Sequence, residues 1–97
     1  MFARLHVLRA TPEQQEAGLE IVRDQLLPWV RESSGYRGLI RLADRESGKA
    51  IVITLWADEA SLEASDEAAQ KLTELTAETV GSTRLAVERY EATLFDV

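Results

Sequence analysis

His6 is the single histidine of this 97-residue chain, and imidazole is the one side chain whose unperturbed pKa lies near neutrality. It is the natural proton acceptor for acid–base chemistry at physiological pH. The bland alternative is a strand histidine at a pocket edge or subunit seam, hydrogen-bonded and inert. Trp56 ends an uncharged run and is followed by Asp58 and Glu59. Its indole can stack on a planar aromatic ligand, or pack in the core with its N–H bonded. Trp29, beside Pro28, and Tyr36, which opens another β-rich run, either wall the same space or simply pack. The chain has no cysteine, which removes thiolate nucleophiles, disulfides and cysteine metal sites. It has no phosphate-binding Gly-rich loop and no His/Glu pair at metal-ligand spacing. Carboxylates such as Glu13, Glu16, Glu20, Asp66 and Glu67 fall on solvated helical stretches, where a glycosidase-type pair is not expected.

Holding these side chains in place takes four strands and two helices. Residues 3–9 alternate, with Leu5 and Val7 on one face and Arg4, His6 and Leu8 on the other. Thr11-Pro12-Glu13 starts a helix, with Thr11 as N-cap and Pro12 at the first helical position. Leu19, Val22, Leu26 and Val30 give it an apolar stripe, and Pro28 is expected to kink the helix or convert its last turn by removing an amide donor near Asp24. Ser33-Ser34-Gly35 stops it. Residues 36–43 form a second strand, and a polar turn over 44–49 leads into a third over 50–56. Asp58 caps a helical region from 59 to about 80, in which Leu62, Ser65, Ala69, Leu72, Leu75 and Thr79 keep helical spacing. Ser65-Asp66-Glu67 reads as a second cap, so a break is expected there. Residues 84–95 form a long last strand, whose Arg89, with Arg41 of the second, is expected to face a partner and pair with Glu88 or Glu91.

The order βαββαβ predicts a single ferredoxin-like α+β domain over residues 1–97. Right-handed crossovers put both helices on one face of a four-stranded antiparallel sheet. The third strand is uncharged on both sides: Ile51, Ile53 and Leu55 on one, Ala50, Val52, Thr54 and Trp56 on the other. A sheet with one wet face alternates apolar with polar. The alternative is a central strand whose neighbours supply the polar residues. Otherwise a second copy must cover the open face, giving a symmetric homodimer. Seventeen acidic residues against eleven Lys and Arg, net charge −6, argue against nucleic acid and anionic membrane as partners. No apolar run reaches the roughly 20 residues that span a bilayer, and the first residues do not form a secretory leader. A cytoplasmic location is expected.

Three segments carry a resemblance: Gly35-Tyr36-Arg37-Gly38, then Ile53-Thr54-Leu55-Trp56 with Asp58-Glu59 behind it, and Val87-Glu88-Arg89-Tyr90-Glu91. Together they resemble the antibiotic biosynthesis monooxygenase family, small dimeric α+β barrel proteins, and the likeness runs over nearly the whole chain. The resemblance implies a dimer whose sheets close into a barrel, with a pocket in each subunit between the sheet and its own helices. Some members oxidise polycyclic phenols to quinones with dioxygen, using neither metal nor flavin; others bind and degrade haem. By this resemblance Trp56 takes the place of the pocket tryptophan of the phenol-oxidising members. Val52 stands where they carry an Asn, and Leu62, Thr76 and Leu42 stand where they draw a Tyr, an Arg and a His. Most of their polar set is thus missing. The axial His that haem-degrading members need on the second helix is also missing, while His6 falls close to a pocket-lining Asn of theirs. The resemblance implies a cofactor-independent monooxygenase-like protein acting on a small aromatic or quinol, with no cofactor. His6 would be its base, and Trp56, Tyr36, Trp29, Val52 and Leu62 would line the substrate pocket. The alternative is a non-catalytic dimeric ligand-binding or stress-related protein of the same fold.

Overall fold

Four strands, β1 (Phe2–Arg9), β2 (Tyr36–Asp44), β3 (Lys49–Trp56) and β4 (Thr83–Glu91), form one antiparallel sheet in the order β2-β3-β1-β4. The computed structural model describes residues 1–96, apart from the side chains of Ala68, Leu72, Thr73, Leu75, Thr76 and Ala77. The stripe positions Leu72 and Leu75, and the pocket position Thr76, therefore lie outside the described residues.

Facing partners in the ladder share a side of the sheet. Arg4 opposes Thr54, His6 opposes Val52, and Leu8 opposes Ala50. This side lies under the helices, because Arg4 bonds to the long second-half helix and Val52 clusters with Val22, Leu26 and Val30 of the first helical region. The other side carries Ala3, Leu5 and Val7 of β1 against Leu55, Ile53 and Ile51 of β3, flanked by Ile40 and Leu42 of β2. No helix lies on it, and Ile40 and Leu42 are 41% and 49% exposed.

The first helical region is α1 (Pro12–Ile21), a π-helical turn (Val22–Leu26) and α2 (Leu27–Arg31). Thr11 and Gln14 cap α1 reciprocally: Gln14 N donates to Thr11 Oγ1 at 3.2 Å, and Thr11 N donates to Gln14 Oε1 at 2.9 Å. The irregularity expected at Pro28 takes the form of the π turn. The Leu27 amide donates to Val22 O, one residue beyond the α-helical partner. Val22, Leu26 and Val30 are spaced by four, which overshoots an α-helical turn of 3.6. A wider turn keeps them all over the sheet, and all three are buried. Leu19, expected in that stripe, is instead 44% exposed. Gly18 and Gln15 take the sheet-facing line, where α1 comes close enough for Arg41 to reach its backbone.

Gly35 turns the chain from α2 into β2 at φ +81°. A β-carbon there would also collide with the Ser61 side chain at the start of α3 (Glu59–Val80). Asp58 caps α3, accepting from Ser61 N at 2.7 Å. The break expected at Ser65 is absent: α3 is continuous. Ser65 Oγ donates back to Leu62 O at 2.8 Å and accepts from Arg4, so it is occupied inside the helix rather than at a new start. The last strand stops at Glu91 rather than running on to residue 95. Glu91 already opposes Phe2 and Ala92 N donates to Met1 O, so the ladder has reached the first residue of β1. Among the described residues no helix is long and apolar enough to cross a membrane.

Candidate functional site

His6 sits mid-way along the central strand β1, 3% exposed, with Val52 on one side and Val87 on the other. Its Nδ1 is buried without a hydrogen-bond partner. Burial, and secondarily the charges of Arg4 and Arg84, push its pKa down from 6.5 to about 4. The imidazole is therefore neutral at pH 7, with one ring nitrogen buried and unpartnered.

His6 lines a cavity of about 30 Å³ between the sheet and the first helical region. The enclosed part has room for one or two waters, and the space is open on one side, so a ring seated there has to occupy the mouth as well. Val52, Leu8 and Ala50 form its floor, and Val22 and Leu26, the two ends of the π turn, form part of its roof. Gln14, Arg41 and Ser82 add its other polar groups. Arg41 was expected to face a partner subunit. Strand alternation puts it instead beside Val52, under the helices, where its Nη2 donates to Gln15 O at 2.7 Å.

The tryptophans stand elsewhere. Trp56 is four residues along β3 from Val52, about 13 Å at roughly 3.3 Å per residue. It is fully buried, and its Nε1 donates to Thr54 Oγ1 at 3.0 Å. Tyr36 meets it edge-on, with ring centroids 6.3 Å apart. Trp29 and Trp56 share a separate groove of about 240 Å³, with Ser33, Ser34, Ser61 and Ser65 around it. Leu62 is buried under α3 and borders a third depression with Phe2, Arg89 and Tyr90. The structure thus brings His6 together with Val52 in one cavity and Trp29 with Trp56 in another, with Tyr36 against Trp56, while Trp29 and Tyr36 also pack against the cluster that contains Val52.

Between them lies Arg4, 2% exposed. Its Nη2 donates to Leu62 O at 2.7 Å and Ser65 Oγ at 3.1 Å, and pairs with Asp66, while its Cζ lies 6.0 Å from the Trp56 ring centroid. Asp66 also pairs with Arg89, so Arg89 too faces α3 and not a partner. Sequence reasoning left Arg4 and Arg41 without a role at the site. A charged residue inside an alternating strand, on the same side as His6, is the signal that could have flagged Arg4. Among the described residues no group of three His, Asp or Glu side chains is placed to hold a metal ion.

No family model matches the sequence. The uncharacterized protein Rv2557 of Mycobacterium tuberculosis is 32% identical over 91 residues, which make up 94% of this chain and 40% of that protein. The chain therefore spans about two fifths of the length of the curated relative it matches. A solved antibiotic biosynthesis monooxygenase aligns with TM-score 0.67 and 19% identity, over 97% of this chain and 100% of its own. A Streptomyces coelicolor monooxygenase, solved with nanaomycin D, gives 0.67 and 14% over 99% and 92%. SnoaB, a cofactor-independent oxygenase of Streptomyces nogalater, gives 0.61 and 15% over 97% and 92%. Near-complete coverage at TM-scores of 0.61 to 0.67 gives one result: this chain has the fold of the antibiotic biosynthesis monooxygenases.

Proposed function

We propose that this chain is a cytoplasmic, cofactor-independent monooxygenase-like protein that takes a small phenol or quinol against His6. The observation that carries the reading is a neutral, buried imidazole with an unpartnered Nδ1 in a mostly apolar cavity. Such a nitrogen accepts a ligand hydroxyl's hydrogen bond and then its proton. Burial first, and then the charges of Arg4 and Arg84, make His6 a weaker base; the positive charges also favour the ring oxyanion left behind, which offsets their share but not that of burial. The electron-rich anion reacts with dioxygen. In converting a ring CH2 to a carbonyl, one oxygen atom enters the product and the other leaves as water with both hydrogens, the substrate supplying every electron.

The test is oxygen uptake with an anthrone- or quinol-type substrate. One dioxygen consumed per carbonyl formed is expected, with His6→Gln slower by roughly 10²-fold. No uptake with any such substrate overturns the oxygenase reading. A second reading, a non-catalytic ligand-binding protein, is favoured by the cavity's size and by apolar Val52 facing His6.

We also propose that the working unit is a homodimer. Ile40, Leu42, Ile51 and Ile53 form an apolar stripe on a sheet face that no helix covers, which supports a second copy seated there.

A further inference from the structure

Arg41 is an unpaired cation at an apolar cavity. Its half-buried guanidinium lines the space beside His6, and among the described residues no acidic side chain lines that space with it. Among the described residues it has no carboxylate within ion-pair distance, in a chain with seventeen Asp and Glu. One of its five N–H donors goes to Gln15 O. Its position is fixed from three sides: by β2, by that carbonyl, and by Gly18, where a β-carbon would come within 3.2 Å of Nη2. Burial pulls its pKa below the ordinary arginine value, and nothing opposite in charge compensates. The rest of the surroundings have the same sign. The charges that act on His6 are Arg4 and Arg84, and each has a buried Nη1 with no partner. Of these three guanidiniums only Arg41 lines the space; Arg4 and Arg84 act on His6 from outside its lining and are paired with Asp66 and Glu74.

We infer that the His6 cavity takes a small organic monoanion, its carboxylate on Arg41 and its apolar body directed toward Val22, Leu26 and Val52. This rests on the His6 cavity being the ligand site, as proposed above, and adds that the ligand is an acid. A carboxylate at Arg41 gains charge-assisted, bidentate hydrogen bonds that a neutral amide of the same shape cannot match.

Benzoate and benzamide, alike in shape and different in charge, make the test. Each is titrated into the 15N-labelled full chain while the His6 imidazole and Arg41 guanidinium resonances are followed. Saturable shifts of both groups are expected with benzoate, and affinity for benzamide weaker by roughly tenfold or more. Arg41→Gln should remove that preference, and Arg41→Lys should restore part of it. An unchanged His6 resonance in the ligand-free variants checks that the cavity is intact. Gly18→Ala, which keeps the charge and crowds Nη2, should weaken benzoate and leave benzamide unaffected. Equal affinity for the two probes, or a benzoate preference that survives Arg41→Gln, overturns the assignment of an acid and leaves the cavity reading standing. No movement of His6 with either probe up to tens of millimolar overturns both.

Discussion

His6 ties the site to stability through its proton. The folded state holds the imidazole near pKa 4, against 6.5 when it is free. Above pH 6.5 both states are neutral and the histidine adds no pH dependence. As pH falls below 6.5 the unfolded chain takes up the proton and the folded chain does not, so stability declines until about pH 4, where both are protonated. At about 1.4 kcal/mol per unit the total is on the order of 3 kcal/mol. Urea unfolding measured between pH 7 and pH 4 should show this loss on top of any carboxylate contribution, and His6→Leu should flatten that share. Identical pH profiles for the two proteins would mean that His6 is not held neutral. His6's single occurrence and its side of the strand were readable from sequence. Its lack of a partner was not, because that depends on Arg4 and Arg84, which approach from the same and a neighbouring strand. Arg41 was harder still: period-two alternation aligns it with Val52, but only the close approach of α1 at Gly18 shows what its guanidinium faces.

At the scale of elements, local signals were legible where the partner is local. Thr11 and Gln14 lie three residues apart and cap each other; Asp58 accepts from Ser61 N at the same spacing. Ser65-Asp66-Glu67 has the composition of a cap, yet Arg4, some sixty residues away, takes both Ser65 and Asp66, and the helix runs on. Pro28 announced an irregularity; its π form follows from keeping Val22, Leu26 and Val30 together over Val52, a tertiary demand. The joint between α2 and α3 is built on Gly35, which combines a left-handed backbone with contact against Ser61. Gly35→Ala should cost about 2 kcal/mol or more, part of it backbone strain of roughly 1–2 kcal/mol and the rest collision. Ser61→Gly in the same chain should recover the collision share and leave the strain. A double-mutant cycle in urea with no coupling between the two positions would show that they do not touch in solution.

For the whole molecule the decisive surface is the helix-free side of the sheet. The uncharged third strand pointed to it, and the ladder adds Ile40 and Leu42 at the edge, both well exposed. Covering several hundred Å² of such surface contributes on the order of 10 kcal/mol at about 25 cal/mol/Å², and lost rigid-body freedom cancels a large part. Sedimentation at micromolar concentration should find a dimer. Leu42→Glu, which would bury an unpaired carboxylate at the seam, should raise the dissociation constant by about 100-fold or more. A wild-type chain that sediments as one copy would leave the apolar face unexplained and remove the dimer. The face itself carries Glu88, whose carboxylate accepts from Tyr90 Oη at 2.6 Å and so brings its own donor.

Arg4 and Thr54, set between His6 and Trp56 on the two central strands, stand between two chambers that share no wall residue among the described residues. Traffic to one need not pass through the other. An occupant of the tryptophan chamber and an occupant of the histidine chamber should therefore bind additively, neither competing nor cooperating, unless the guanidinium between them swings aside.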